Sequence, residues 1–364
     1  MSMSTSPFAA SFHAPASRDR LILVAAFVSC LLLWSSISAG QSDSPLLRGL
    51  LQKGNAALDA GDFRKAAEQF EGARAFAPDS VEVSRGLLEA YLQLGRPDLA
   101  LPIGTQAAMK APKDARIHHL LGLAYFKTQQ NEPARQELEK SAGLDPNNAD
   151  VPFDLALVFL NAEQYEPASQ QLEKSIKLRP RNPLAHVLLG RALLNTNRSE
   201  RAIDEFKAAL QLDPKTRLGH YHLGFAYQSL GRNQDAIAEY ERELAGSGEH
   251  PELLYQLGQC KLEAGDSRAA ISYLQRAVIL DPKNTDAYYG LGKALLQGNR
   301  TEEAKTALEK ASELKPTDPS PHYQLARALE KLGDKEGAKR ERDRFAELKK
   351  MQPAQAGMAT SRDR

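Results

Sequence analysis

The 364-residue sequence predicts an all-α fold, an α-solenoid of stacked antiparallel helix pairs, on three observations. Alanine recurs at one phase, at Ala66, Ala100, Ala134, Ala168, Ala202, Ala236, Ala270, Ala304 and Ala338, each 34 residues after the last. The same period aligns Leu87, Leu121, Leu155, Leu189, Leu223, Leu257, Leu291 and Leu325 in a second column, and Pro78, Pro112, Pro146, Pro180, Pro214, Pro282 and Pro316 in a third. A fixed period of this length marks a repeat array, in which each unit buries its apolar face against its neighbours. The chain is also longer than one ordinary compact domain, with no shift of composition to mark a second, so stacking must organise it.

Arg18 and Arg20 precede Leu21 to Trp34, fourteen uncharged and largely apolar residues, and the small, polar stretch from Ser35 to Gly40 follows. Residues 1–40 therefore have the pattern of a secretory signal; counted through Gly40, the run also leaves a single membrane anchor open. Either outcome places the rest of the chain outside the cytoplasm, periplasmic or secreted, or anchored to the membrane by residues 21–40. Cys30 makes a poor lipid-attachment site, because bulky Phe27 and Val28 precede it and Leu31 to Trp34 continue the apolar run. Ser44-Pro45 then supplies a helix start, serine as the cap and proline at the first helical position.

Nine repeats fill residues 45–349, at 47–80, 81–114, 115–148, 149–182, 183–216, 217–250, 251–284, 285–318 and 319–349. In the eighth, Tyr288, Leu291, Leu295 and Leu296 recur at helical spacing over residues 285–297, Gly298-Asn299 punctuates, and a second helix is predicted over residues 301–314. The proline column ends each second helix, because proline cannot continue it and disfavours helical geometry just before itself. Gly122, Gly190, Gly224, Gly258 and Gly292 on first helices, with the alanine column on second helices, mark where the two must come close.

Repeat six carries Leu223-Gly224, Tyr227, Gly231, Ala236 and Tyr240 at offsets that closely resemble the tetratricopeptide repeat family, and the resemblance covers about 305 of the 364 residues. It implies a right-handed superhelix of helical hairpins with a concave groove lined by the first helix of each pair. Three departures stand out. Arg342 replaces the large apolar residue of other repeats within a heavily charged last helix, which is expected to cap the stack. Repeat two has Leu88 where glycine is usual and Pro102 near the start of its second helix, where a local bend is expected. Between repeats six and seven the proline is missing, Glu243 replaces a small residue and Gly246-Ser247-Gly248 fills the turn, so this joint is expected to be the loosest. Residues 350–364, with Pro353, Gly357 and few apolar side chains, have the composition of a disordered tail.

Candidate chemistry is sparse. Lys plus Arg and Asp plus Glu nearly cancel, which argues against a nucleic-acid partner. Only Cys30 and Cys260 are present, far apart, so no disulfide framework forms. Cys260 occupies a column held elsewhere by Ala226 and Ala294 and is expected to be an inert packed thiol. His118, His186, His220 and His322 share another column, too widely spaced to converge on a metal, and are expected to pack. Asn197 and Asn299 match a glycosylation pattern but hold the turn position of Gly231 and Gly265, where asparagine tolerates left-handed geometry. With so little chain outside the repeats there is no room for a separate catalytic domain, so no enzyme activity, cofactor or metal is expected.

The resemblance places the column of Tyr221, Tyr255, Tyr289 and Tyr323 on the concave face, with Leu123, Leu157, Arg191, Phe225, Gln259, Lys293 and Arg327 one turn further on. In repeats three to six His119, Leu123, Phe153, Leu157, Val187 and Phe225 make that face apolar; in repeats seven to nine tyrosine combines with Gln259, Lys293, Arg327 and Lys331. The expected partner is a protein segment, apolar in its middle and acidic or carboxylate-ended toward repeat nine. The alternative is that tyrosine is simply usual in this column. The functional expectation is a non-catalytic scaffold or adaptor, exported or membrane-anchored, with a regulatory or targeting subunit of an envelope enzyme or secretion complex as the alternative. A co-chaperone matches poorly, since only Asn55 resembles the polar clamp while Leu51, Gly86 and Leu120 hold its other positions. The oligomeric state is left open.

Overall fold

The computed structural model describes residues 44–351. The expected leader over residues 1–40 and, from residue 352 on, the expected tail lie outside the described residues. All eighteen elements among the described residues are α-helices, in two compact units divided between Pro146 and Asn147. The first unit holds α1 (Pro45–Asp59), α2 (Phe63–Phe76), α3 (Val81–Gln93), α4 (Pro97–Lys110), α5 (Ala115–Lys127) and α6 (Asn131–Leu144). The second holds α7 (Asp150–Asn161), α8 (Tyr165–Leu178), α9 (Pro183–Asn195), α10 (Ser199–Leu212), α11 (Gly219–Ser229), α12 (Asn233–Ser247), α13 (Pro251–Glu263), α14 (Ser267–Leu280), α15 (Thr285–Gln297), α16 (Thr301–Leu314), α17 (Pro319–Lys331) and α18 (Lys335–Met351). Within each unit every helix packs on the next, and each pair is one repeat. α15 and α16 have the bounds predicted from the sequence, whereas α18 runs two residues into the segment expected as tail. Among the described residues no helix is long and apolar enough to cross a membrane.

One backbone device makes all nine hairpins. Gly61, Gly95, Gln129, Glu163, Asn197, Gly231, Gly265, Asn299 and Gly333, one per repeat, take φ between 55° and 83°. The next residue's N–H then donates back to the carbonyl five residues earlier, as from Arg232 to Tyr227 at 3.0 Å and from Arg300 to Leu295 at 2.9 Å, which closes the first helix. Asn197 and Asn299 hold this position as expected. Glu163 holds it at a steric cost, so Glu163→Gly is expected to stabilise the second unit by about 0.5–1 kcal/mol, the left-handed cost relieved less the chain entropy glycine adds. A urea titration of the full chain that shows no gain would refute this.

The next helix pair begins just past the proline turn on a polar cap, a column distinct from those above. Ser80, Asp114, Asn182, Asn284 and Asp318 each accept a backbone N–H from the first turn of the helix that follows.

The glycine columns are where first and second helices meet. A Cβ at Gly258 would stand 2.5 Å from Leu274, and at Gly292 2.4 Å from Leu308, the large residue of the second helix in the same repeat. Gly190 makes the same room for Phe206, and Gly224 for Tyr240. Repeat two inverts the pair. Leu88, fully buried, supplies the bulk from α3, and the partner position on α4 is Gly104, whose added Cβ would lie 2.9 Å from Leu88. The volume is kept and its source exchanged. α4 continues without interruption through Pro102. On the last helix Arg342 leaves the core and pairs with Glu330 in solvent.

Repeat six has an irregular start and its own internal tie. α11 starts only at Gly219, because Leu218 takes a left-handed φ of 57° and the first turn is unwound. The N–H groups this frees need acceptors, and Glu243, 3% exposed on α12, receives the Tyr221 N–H at 3.2 Å and the Ser247 hydroxyl at 2.6 Å. Glu243 thus ties the two helices of repeat six together, while across the joint α12 packs on α13 more sparsely than any other consecutive pair within a unit among the described residues, as the missing proline and small residues led us to expect. In the same column Ser141 and Ser175 donate to the Ala115 and Ala149 carbonyls.

Candidate peptide-binding face

Of the residues expected on the binding face, His119 and Leu123 belong to the first unit and the others to the second. Two expectations fail. His119 is 4% and Val187 5% exposed, so neighbouring side chains cover both and they serve packing. Leu123, Phe153 and Leu157 are half-buried at the margin of the cores, and Phe225 stands out at 42% exposure.

The tyrosine column is amphipathic, as its chemistry requires. The Tyr221 ring packs 5.7 Å from Tyr240 and 5.9 Å from His250, and burial beside Glu252 pushes its phenol up to about 12. Tyr255 is half-buried and its phenol is raised by the same desolvation. Tyr289 lies under Lys293, whose ammonium stands 5.6 Å from the ring centroid, and Tyr323 is 48% exposed beside Phe345. Gln259 folds across the bare backbone of Gly290, so it bridges α13 and α15 and projects less than expected.

The first helices of repeats seven, eight and nine enclose a cleft of about 500 Å³, lined among others by Glu263, Lys293, Gln324, Arg327 and Lys331. Among the described residues none of the three cations forms an ion pair. Arg327 donates to the Gln324 side chain at 3.0 Å and Lys331 to the Leu296 carbonyl at 3.4 Å. Elsewhere in the second unit Arg179 pairs with Asp150 and Arg201 with Glu173. The one carboxylate in the cleft, Glu263, accepts from Asn233 at 2.9 Å. The cleft therefore presents cation donors and amides to a carboxylate.

The histidine column is more ordered than packing alone demands. His118, His186, His220 and His322 each direct Nδ1 at a glutamate nineteen residues on, at 2.6 Å to Glu137, 2.6 Å to Glu205, 2.7 Å to Glu239 and 2.6 Å to Glu341. Nε2 of His186 also meets the Pro180 carbonyl at 3.2 Å, and the glutamate bond holds this imidazole above its ordinary value. The pairs clip a first helix to its second helix. Sequence reading missed them, although the signal was present: repeats with Ser84, Pro152, Leu254 or Tyr288 in the histidine position have Ile103, Gln171, Tyr273 and Ala307 in the partner position. Among the described residues no group of three His, Cys, Asp or Glu is arranged to hold a metal ion. Cys260 is fully buried, and desolvation pushes its thiol up to about 12, as its packed column implied.

Two family models, both described as tetratricopeptide repeat, match the chain, one at residues 57–124, 92–151 and 261–322 and the other at 153–216 and 221–285. Together they span well over half of it. Among solved structures, Cut9–Hcn1 of the APC/C hetero-tetramer is 18% identical, with 73% of this chain and 52% of that one covered at a TM-score of 0.51. YrrB, a TPR protein with an unusual peptide-binding site, is 23% identical, with 50% and 95% covered at 0.46. PilF of Pseudomonas aeruginosa is 20% identical, with 57% and 94% covered at 0.49. Likenesses at this level speak to the fold alone. No curated protein matches the chain.

Proposed function

The chain belongs to the tetratricopeptide repeat family, whose members are generally protein-interaction scaffolds, and from that premise we propose that it is a non-catalytic scaffold binding an acidic segment of a partner protein. The observation that carries this reading is the cleft of repeats seven to nine, where Lys293, Arg327 and Lys331 lie beside a row of tyrosines without a carboxylate partner of their own. A carboxylate of the partner pairs with the cations, while tyrosine rings cover its apolar atoms at small entropic cost. Toward repeat six the exposed Phe225 offers the same segment an apolar contact. The two arginines and the uncharged, largely apolar run that follows them over residues 18–40 support an extracytoplasmic place of action, as an exported or membrane-anchored protein.

The test compares the full chain with a Tyr255→Ala, Tyr289→Ala, Lys293→Ala variant of equal helical content. Cross-linked capture from the envelope or secreted fraction is paired with anisotropy on a short Leu- and Glu-containing peptide probe. Loss of a specific partner, with probe affinity lowered at least about tenfold, is expected when a charged hydrogen bond and two aromatic contacts are removed. Unchanged capture and unchanged affinity would move binding off this face.

A further inference from the structure

The connection from repeat six to repeat seven has caps of its own kind. α12 closes on Gly248, at φ 78°, where other repeats turn on proline. α13 then begins on His250, whose Nδ1 accepts the Leu253 N–H at 3.2 Å. The equivalent first helices use the oxygens of Ser80, Asp114, Asn182, Asn284 and Asp318.

An imidazole nitrogen accepts only while it carries no proton, so this cap requires neutral His250 with its hydrogen on Nε2. That Nε2 is buried and has no hydrogen-bond partner. A second proton would set N–H against N–H at Leu253 and place a positive charge at the positive end of the helix dipole. A serine, asparagine or aspartate cap loses nothing over the same pH range.

The charged groups around the ring are already engaged. On α11, Tyr221 faces the ring at 5.9 Å, with Glu252 beside its phenol, and Gln256 donates to Glu252 at 2.7 Å. On α12, Glu243 holds the Tyr221 N–H and the Ser247 hydroxyl, and Glu239 is shared by His220 and Arg242. Glu249, the chain neighbour of His250, pairs with Arg276 of α14. Among the described residues no carboxylate hydrogen-bonds to the His250 ring to compensate a charge there, unlike the four histidines clipped to glutamate.

We propose that this connection is an acid-sensitive joint, in which protonation of His250 withdraws the cap of α13 and opens the segment from Gly246 to His250. Opening would alter the spacing between Phe225 of repeat six and the cationic cleft of repeats seven to nine. That last consequence rests on the proposed binding face; the joint itself does not.

Hydrogen exchange on the full chain, without any partner, reads the joint directly. Between about pH 7.5 and about pH 5.5, and after correction for intrinsic exchange, peptides covering residues 246–254 are expected to lose protection about fivefold, the population change produced by losing one cap. Peptides from α1 to α3, whose residues include no histidine, should show no such loss. In His250→Asp the acid response should vanish, since aspartate still accepts at the lower pH. His250→Asn provides the same comparison without added charge if the aspartate variant unfolds. Equal protection of wild type at both pH values, or an acid response that survives in both variants, would overturn the proposal.

Discussion

The double variant Leu88→Gly, Gly104→Leu is expected to be less destabilised than its two single changes added together. Leu88 is fully buried on α3 and fills the space that a second-helix residue fills in neighbouring repeats. Leu88→Gly alone leaves a cavity facing the bare Gly104 backbone and should cost about 3–5 kcal/mol, the transfer and cavity terms of a deleted leucine. Gly104→Leu alone drives a side chain into Leu88 and Leu121 and should cost about 1–3 kcal/mol. Together they recreate the arrangement of Gly258 with Leu274 or Gly292 with Leu308, so a favourable coupling of about 1–3 kcal/mol is expected. Repeat arrays unfold in parts, so the cycle should be read by hydrogen exchange in α3 and α4 beside a urea titration. Additive losses would show that the two positions do not share one volume.

Glu205→Gln should destabilise the second unit by about 1.5 kcal/mol near neutral pH and flatten one side of its pH profile, because it removes a charged hydrogen bond at a partly solvated site. The bond to Glu205 raises the folded-state value of His186 above 6.5. Its contribution is therefore complete below the unfolded value and is lost as pH rises through the raised folded value. His222 acts with the opposite sign. Burial against Phe206, with Arg191 nearby, lowers it to about 4, so its contribution is present above 6.5 and is lost as pH falls from there toward 4. Stability of the second unit should accordingly decline on both sides of about pH 6.5. Urea midpoints across this range should lose their alkaline decline in Glu205→Gln and their acid decline in His222→Phe. An alkaline decline as steep in Glu205→Gln as in wild type would mean that the pair does not set it.

The start of repeat six shows where reading by column falls short. The missing proline and three small residues after repeat six marked that joint as slack, and among the described residues α12 packs on α13 more sparsely than any other consecutive pair within a unit. The columns do not mark the hold inside repeat six, where the Glu243 side chain reaches an N–H beside the unwound turn at Leu218. Neither the turn nor the bond is periodic, so no column records it.

What the sequence determined by itself is what repeats. Helix bounds, the left-handed turn and the glycine beside a large neighbour depend on residues close along the chain, and nine copies in phase separate such signals from chance. What only tertiary structure decided is which side chains the neighbours cover and which atoms pair. His119 and Val187 occupy the same column as Tyr323, yet they are buried while Tyr323 is 48% exposed. The column sets the direction in which a side chain leaves its helix. Its burial is set by the size and conformation of residues on adjacent helices, and those vary from repeat to repeat.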